Sequence, residues 1–576
     1  MGISVDGGTS YTFGVEAGGG TTVGSTVNLS NSTIDVNGDV AAGARAYTGF
    51  DPDTSLEKSK QGKVILDGTA INVNGTSSIG LMAGDTDGSN PGTAGEITYT
   101  NGTITATGSG SMAARVLYGS ALNLEKATLK SSGGNGITAD GAGSKVVATN
   151  SVISTSASGS KTGGVTSPIY ALDATGGATA EITDGSISAT GEQYSRGILV
   201  GVGSSVTTTN TAISTTGSNS HAVHAYASSS GASPAPSITI NGGSITTTGD
   251  NSWGLYSQNS GNITSTADIT TGGLAGFGAF AEEGAGITLN GGSITTTGGA
   301  LSGTIGSFGV LSKNGSTVNV NNVAITTSGA LADGLRSDRD AAEAGGIIVA
   351  TDTTVKTSGA NANGVSVYGE DSSVSSVSMA GGSVTTTDAS SSSAYLQNRA
   401  TASFTGTTLN SAGATFSSEF TRAGQSQNIT LGSGTNVASN NGTLLNVARN
   451  GEDGIVNLVL QDGAFAQGNV VDLTGTNEVT VKVTKGTNAQ WAGLVVDSTT
   501  QQIDSSTPPP PDYSTPSDVL ITSTTPVTFT GTTNVGGDFS GSTGGSTTFS
   551  GSTTISGNLV GAQGSTTSFS GPTTIG

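Results

Sequence analysis

The stretch that decides the fold is Ser237-Ile-Thr-Ile-Asn-Gly-Gly-Ser-Ile-Thr-Thr-Thr-Gly249, which returns almost unchanged as Gly286-Ile-Thr-Leu-Asn-Gly-Gly-Ser-Ile-Thr-Thr-Thr-Gly298. In both copies apolar residues alternate with polar ones, and a period of two predicts a half-buried β-strand. The central Asn-Gly-Gly contains residues that accept a positive φ, so it predicts a turn. Each copy therefore predicts two short strands joined by a tight turn.

The phrase recurs through most of the chain, with the same alternation but with different residues at several positions. Fourteen copies are separated by 24 to 37 residues, and a repeat of this period predicts a solenoid. Aligned on the last apolar residue of the phrase, the copies fall at Ile34, Ile71, Ile104, Leu129, Ile153, Ile187, Ile213, Ile245, Ile269, Ile294, Ile325, Val355, Val384 and Leu409.

A third strand in each unit follows a glycine, as in Trp253-Gly-Leu-Tyr-Ser257 and Phe277-Gly-Ala-Phe-Ala281. Three short strands per unit predict an all-β fold, a right-handed parallel β-helix whose coils stack about 4.8 Å apart. We expect Ile, Val and Leu to face the interior and the alternating Thr residues to face solvent. The variable spacing predicts loops inserted at a corner, over residues 50–62, 85–95, 228–236 and 337–345.

Composition agrees with a repeat protein and excludes several functions. A chain of 576 residues is too long for one compact core, whereas a solenoid grows in one dimension. The net charge is −21, and the 19 basic residues are scattered, which argues against a nucleic-acid partner. There is no cysteine, so disulfide and thiolate chemistry are excluded. No apolar run approaches the roughly 20 residues that span a bilayer.

The C-terminal third differs from the rest. Ser505-Ser-Thr-Pro-Pro-Pro-Pro-Asp512 cannot join a sheet and predicts an exposed loop or a stiff linker. Beyond it Phe529, Phe549 and Phe569 mark a period of 20 residues, and because the repeat is interrupted at Gly576 we expect the native protein to continue. The predicted divisions are main repeats over 1–420, a looser continuation over 421–504, the Pro-rich segment over 505–517 and 20-residue coils over 518–576.

The repeated phrase is similar to the passengers of pertactin-like autotransporters, where Gly-Gly-Ser-Ile-Thr-Thr-Thr-Gly follows Gly-Leu-Tyr-Ser or Gly-Val-Leu-Ser. Gln490-Trp-Ala-Gly-Leu-Val-Val496 resembles the Trp-x-Gly signature found towards the end of their helices. The resemblance covers about residues 14–576. It implies a secretion signal before this stretch and an outer-membrane barrel after it, neither of which is in the sequence.

The resemblance also implies a role and a place. Such passengers are displayed on the bacterial cell surface or outer membrane, or are released, and act in adhesion or cell–cell aggregation. The implied partner is a host surface or matrix component, or the same protein on another cell, with the membrane reached only through the barrel. Two other classes stay open: a β-helical polysaccharide-active enzyme or phage tailspike-like protein, and a purely structural, self-associating element.

The densest charged cluster is Arg336-Ser-Asp-Arg-Asp-Ala-Ala-Glu343, which follows Asp333. β-Helical lyases and glycosidases use carboxylates with Arg or Lys, so an active site here is one alternative. We favour a solvated corner loop whose charges pair with one another, since one cluster without carboxylates on neighbouring coils falls short of an active site. The candidate surface contacts are Arg336, Asp338, Arg339, Asp340 and Glu343.

We expect that the chain is not an enzyme and that it has no catalytic residue, metal or cofactor. The two histidines, His221 and His224, are three positions apart, so on a strand they point to opposite faces and do not share a metal. This spacing predicts one packed histidine and one exposed. Asp85-Thr-Asp-Gly88 resembles the opening of a calcium loop, but an acidic turn is the favoured interpretation.

Overall fold

The computed structural model describes most of the chain, and its described part consists of β-strands, turns and bends, without a helix. Accordingly, that part contains no helix long and apolar enough to cross a membrane. The described residues are 1–6, 12–19, 24–48, 61–84, 94–162, 164–229, 231, 233–301, 303, 305–340, 343–370, 373–448, 452–472, 479–493, 495–496, 501–503, 509, 512–515 and 517–576.

The predicted fold class is confirmed, because the strands form a parallel β-helix with three strands per coil. In one coil Ser237–Asn241 lies on the first face, Ser244–Thr247 on the second and Leu255–Gln258 on the third. Each strand pairs in parallel with strands of the same face one coil away. The chain divides into two compact units, Met1–Leu311 with Ser316–Asn319, and Ser312–Gly315 with Val320–Gly576.

In the described part of the first unit the strands lie on three faces, and a short hairpin lies at one corner. Its first-face strands are Thr26–Ser30, Gly62–Asp67, Gly95–Thr100, Ala121–Glu125, Lys145–Thr149, Thr179–Thr183, Ser205–Thr209, Ser237–Asn241, Asn262–Ser265 and Gly286–Asn290. Its second-face strands are Gly2–Val5, Thr33–Val36, Ala70–Val73, Thr103–Ala106, Thr128–Ser131, Val152–Thr155, Ser186–Ala189, Ala212–Thr215, Ser244–Thr247, Asp268–Thr271 and Ser293–Thr296. Its third-face strands are Thr12–Gly19, Ala41–Thr48, Ile79–Ala83, Met112–Leu117, Ile137–Asp140, Ile169–Thr175, Ser195–Val200, Val223–Tyr226, Leu255–Gln258 and Ala279–Glu282. The hairpin strands are Ser160–Thr162 and Val165–Ser167, and the strands Val310–Lys313 and Thr317–Asn321 each contain residues of both units.

The second unit continues the same pattern in its first part. Its first-face strands are Ile347–Thr351, Ser375–Ala380, Ala400–Thr405, Gln425–Leu431, Gly454–Leu460 and Val479–Lys485. Its second-face strands are Ala324–Thr327, Thr354–Thr357, Ser383–Thr386, Thr408–Ser411 and Gln490–Ala492. Its third-face strands are Leu335–Asp338, Val365–Tyr368, Ala394–Gln397, Phe416–Glu419 and Val495–Val496, while Asn436–Val447 and Phe465–Asp472 each cover the second and third faces.

The end of the second unit has smaller coils of 20 residues, also with three faces. Phe549 stacks between Phe529 and Phe569, with ring centroids 4.7 and 5.0 Å away. The predicted period is confirmed, because these three residues lie directly opposite one another in adjacent strands. The strands are Gln501–Ile503, Val519–Ile521, Phe539–Ser540 and Leu559–Val560; Tyr513–Thr515, Thr533–Val535, Thr553–Ile555 and Thr573–Ile575; and Val527–Phe529, Ser546–Phe549 and Thr566–Phe569.

The residues that mark the repeat form an apolar column inside each unit. Every successive pair from Ile34 to Ile294 is in direct register, as is every pair from Ile325 to Leu409. All fourteen side chains are at most 1% exposed. Burial of a side chain of this size stabilises the fold by about 1.5–3 kcal/mol, so the column is a main source of stability.

The prediction that the alternating Thr residues face solvent is correct for some and wrong for others. In Ser244–Thr247, Ile245 and Thr247 point inward, and Thr247 is fully buried. The buried hydroxyl donates to the carbonyl five residues later, in the turn that leads to the third face. The same bond is made by Thr215, Thr247, Thr271, Thr327 and Thr357. A buried carbonyl at a corner needs a donor, and this Thr supplies it.

The predicted corner loops have mixed outcomes. The described residues of the segment 228–236 lie as predicted between a third-face strand, Val223–Tyr226, and a first-face strand, Ser237–Asn241. The segment predicted at 337–345 begins later than expected, since residues 337 and 338 belong to the strand Leu335–Asp338. Most of the loops predicted at 50–62 and 85–95, including the calcium-like stretch, lies outside the described residues. So does most of the Pro-rich segment 505–517.

Candidate functional site

The charged residues that the sequence predicts as candidate contacts lie on the third face of the second unit and at the corner that follows it. The strands of this face run side by side, and the alternation along each strand sends every second side chain outward. In Leu335–Asp338, Leu335 and Ser337 are buried, whereas Arg336 and Asp338 are half-buried on the outer surface. Across the next three coils, the positions in register with Arg336 are Ser366, Tyr395 and Ser417.

Arg336 is held in a fixed orientation by two carboxylates and a ring. Its Nε and Nη2 donate to Oδ2 of Asp338 at 3.1 and 2.9 Å, and Nη1 lies 3.5 Å from Oδ2 of Asp333. Its guanidinium carbon lies 3.9 Å from the ring centroid of Tyr368. This side chain is only 18% exposed, so its charge is largely balanced by the two neighbouring carboxylates.

Arg339 is buried, against the expectation of a solvated loop. Its side chain is 2% exposed, and its Nη2 lies 3.3 Å from Oε2 of Glu370, which belongs to the neighbouring coil. Its Nη1 donates to Ser373 Oγ at 2.8 Å, and its Nε donates to the carbonyl of Asp340 at 3.1 Å. A buried guanidinium needs such partners, so Arg339 joins two coils together.

Asp340 and Glu343 lie at the exposed edge of this cluster. Asp340 pairs with Lys313 at 2.7 Å and accepts from Asn314 Nδ2 at 2.9 Å, and these hydrogen bonds lower the pKa of its carboxyl group. Glu343 is exposed, and its carbonyl accepts from Ser373 Oγ at 2.7 Å. Of the candidate contacts, Asp340 and Glu343 are the ones whose side chains are open to an external partner.

The expectation for the charged cluster was therefore partly wrong. The predicted pairing within the cluster is confirmed for Arg336, which contacts Asp338 and Asp333. It is wrong for Arg339, which pairs with Glu370 of a neighbouring coil, and for Asp340, which pairs with Lys313. Arg336 and Asp338 also lie on a strand rather than in a loop. Glu370 is 31 residues away from Arg339 in sequence. The sequence pattern could not show this contact, because which residues meet between coils depends on the exact length of each coil.

A groove, which the sequence pattern did not reveal, lies next to the cluster. It has a volume of about 400 Å³ and opens on the third face. We call it the tyrosine groove and define it by six of its lining residues, which are Asn363, Tyr368, Ser392, Tyr395, Ser417 and Glu419.

Two carboxyl groups lie at the groove, Glu419 in its lining and Asp333 behind Asn363. Asp333 is buried, and burial raises the pKa of Asp333 to about 6 against the opposing effect of Arg336. Its side chain is 3% exposed and its Oδ1 accepts the backbone N–H of Asn363 at 2.8 Å, so it is closed off from a substrate. The described residues contain no group of three or more His, Asp or Glu side chains placed to hold a metal ion.

The two histidines lie in the first unit and are both buried, which corrects the prediction that one is exposed. Strand alternation does not apply to them, because His221 precedes the strand Val223–Tyr226 that contains His224. Burial, with the nearby charge of Arg196, lowers the pKa of both imidazoles well below the usual value. His224 Nδ1 lies 3.2 Å from Nη1 of Arg196.

These histidines begin two columns of rings on the outer side of the third face. One column continues from His221 through Trp253 and Phe277 to Phe308. The other continues from His224 through Tyr256 and Phe280. Rings in neighbouring columns meet edge to face, so the array is a packed structural element of the first unit.

No protein-family profile matches the sequence, and no curated protein matches it. Among solved structures, a chain of the cryo-EM structure of the Vag8–C1 inhibitor complex is similar to this chain. The two are 16% identical, with a TM-score of 0.48, over 84% of this chain and 99% of that chain.

Proposed function

We propose that this chain is the surface-displayed passenger of a bacterial autotransporter and acts in adhesion or cell–cell aggregation. The observation that carries the proposal is the third face of the second unit. There, outward side chains from consecutive coils are fixed by their neighbours and border an open groove. A rigid scaffold with a preformed polar surface is suited to recognition, since few side chains have to be ordered on binding.

The partner in this proposal is a host surface or matrix component, or the same protein on another cell. The location is the bacterial surface or the outside medium. Asp340, whose side chain is 59% exposed, and Glu343 lie where such a partner would reach them. The strongly acidic composition, with a net charge of −21, fits a partner that is neutral or basic at its contact surface.

We also propose that the chain is not an enzyme. Near the groove, Arg336 and Arg339 pair with carboxylates of the protein itself, Asp333 is enclosed, and Glu419 accepts the hydroxyl of Tyr395. This supports a binding surface over a lyase or glycosidase, both of which need acid and base groups that reach the substrate. Incubation with a broad polysaccharide panel is expected to produce no new chain ends. Cleavage that disappears in an Asp338→Asn, Asp340→Asn double variant would establish the enzyme instead.

The adhesion proposal is tested by displaying the chain on a non-adherent laboratory bacterium through a carrier barrel. Cells are scored for attachment to matrix-coated surfaces and for settling in suspension, against cells that display the carrier alone. We expect attachment or settling to depend on the chain, and to drop in an Asp340→Ala, Glu343→Ala variant. The matched control changes Asp184 and Glu192, two exposed acidic residues of the first unit, to Ala. Display without any attachment or settling would refute the proposal.

A further inference from the structure

We propose that the tyrosine groove binds a neutral glycan, a chain of uncharged sugar rings that lies across successive coils. This inference deepens the adhesion role proposed above and rests on it. The features that support it are two tyrosine rings, the small side chains that leave space beside them, the amide and hydroxyl groups around that space, and the local charge.

The rings provide the apolar contact. Tyr368 and Tyr395 are half-buried on the outer surface, with centroids 5.4 Å apart and planes inclined by 44°. Arg336 covers one side of the Tyr368 ring, and the hydroxyl of Tyr395 donates to Glu419. Rings held in this way lose little freedom on binding. The C–H groups on the face of a sugar ring carry a small positive charge and pack against the electron-rich face of an aromatic ring.

The groove is open because a large side chain on one coil is followed, at the same register position of the next coil, by a small one. Ser417, on the next coil, lies in direct register with Tyr395. In the first unit the equivalent succession is Tyr256 followed by Phe280, whose rings stack 5.3 Å apart and fill the space. Replacing the second ring by a serine therefore leaves one side of the Tyr395 ring open, and this opening is the space that a sugar ring would occupy.

Polar groups around the opening match sugar hydroxyls. The hydroxyls of Ser392 and Ser417 lie 2.7 Å apart, and the side-chain carbonyl of Asn363 accepts the backbone N–H of Ser392 at 2.9 Å. Asn446, on the following coil in register with Ser417, adds another amide. Amides and hydroxyls both donate and accept hydrogen bonds, as the adjacent hydroxyls of a sugar do.

The charge of the groove and the direction in which it crosses the strands limit the class of glycan that can bind. Glu419 is the charged member of the groove, and Arg336 beside it is neutralised by Asp333 and Asp338, so an anionic glycan would be repelled. The lining residues come from successive coils, whose strands lie about 4.8 Å apart. A ligand that contacts all of them crosses the strands, which an extended neutral oligosaccharide can do.

The test uses the purified full chain. An array of neutral and anionic glycans is screened first, and the strongest neutral binder is then titrated by calorimetry. We expect Tyr395→Ala to weaken binding at least tenfold. Ser417→Tyr should weaken it as much by filling the opening, and the aromatic stacks of the first unit show that this face tolerates such a ring. The control is Tyr226→Ala, a tyrosine of the first unit that is 37% exposed.

Three results would overturn the inference: binding to no neutral glycan, a preference for anionic glycans, or affinity unchanged in both groove variants while circular dichroism shows an intact fold. Attachment of displaying cells separates this inference from the adhesion proposal. If cells attach but the purified chain binds no neutral glycan, the glycan site is wrong and the adhesion role stands. If the purified chain binds the glycan but the cells do not attach, the adhesion role is wrong.

Discussion

The imidazole of His221 lies flat on the indole of Trp253, with ring centroids 4.1 Å apart and planes inclined by only 15°. Nδ1 of His221 also accepts the backbone N–H of Trp253 at 3.3 Å, so this nitrogen carries no proton. The contact joins two coils of the first unit through a neutral imidazole. Its stability therefore depends on pH.

We expect acid to destabilise the first unit through its histidines. Because their pKa is lower in the folded protein than the usual 6.5, the unfolded chain binds more protons below that pH. The free energy of unfolding should fall as the pH drops from 7.5 to 5.5. His224→Phe, which extends the ring column above Tyr256, should reduce this fall. Urea midpoints at both pH values measure the effect, and an equal fall in wild type and variant would contradict it.

Asp173 should have the opposite pH dependence. Burial, with a contribution from Asp140, raises the pKa of Asp173 to about 6, so the folded protein holds its proton more tightly than the unfolded chain does. As the pH rises from about 4 to about 6, the ionisation of Asp173 therefore lowers the free energy of unfolding. Asp173→Asn should raise the free energy of unfolding by about 2–3 kcal/mol at pH 7 and have almost no effect at pH 3.5. Asp184→Asn, on an exposed bend, is the control, and equal changes in both variants would refute the prediction.

The buried threonine of the repeat can be tested beside an exposed one. Thr247→Val preserves the shape of the side chain but removes the hydroxyl that donates to the Ser252 carbonyl at 3.2 Å. We expect a loss of about 1–3 kcal/mol in the free energy of unfolding, the usual cost of an unsatisfied buried group. Thr246→Val, on the outer surface one residue earlier, should change it by less than about 0.5 kcal/mol. Denaturant titration of the two variants decides, and similar losses would contradict the assigned role of Thr247.

The close approach of neighbouring coils makes Gly278 sensitive to substitution. A Cβ at this position would lie 2.3 Å from Cγ2 of Ile294 and 2.6 Å from the carbonyl oxygen of Gly309. Gly278→Ala is expected to lower the free energy of unfolding by about 2 kcal/mol, through overpacking. Gly272→Ala serves as the control, because its nearest neighbour would be 3.8 Å away. Thermal unfolding of the pair measures the difference, and equal melting temperatures would show that the coils can separate at little cost.

The sequence predicted the inward apolar column because that information is local. Each phrase fixes its own alternation, so aligning Ile245 with Ile269 also predicts their register. Contacts between side chains of different coils were not predictable in this way. Arg339 meets Glu370 and Tyr395 faces Ser417 only after the loops between coils set the number of residues per coil. The candidate site is made of such contacts, whereas the fold is made of the local pattern.

The 20-residue coils near the C-terminus have a mechanical consequence. Their strands are joined to the next coil by rows of main-chain hydrogen bonds, as between Phe529 and Phe549 or between Val535 and Ile555. A load that pulls the chain away at residue 576 would open these rows one coil at a time. Each coil contains the same number of residues, so each rupture would release about the same length, roughly 70 Å of extended chain. Under a shear force these coils would therefore unfold in equal steps. Each step would absorb part of the mechanical work before the larger coils are loaded.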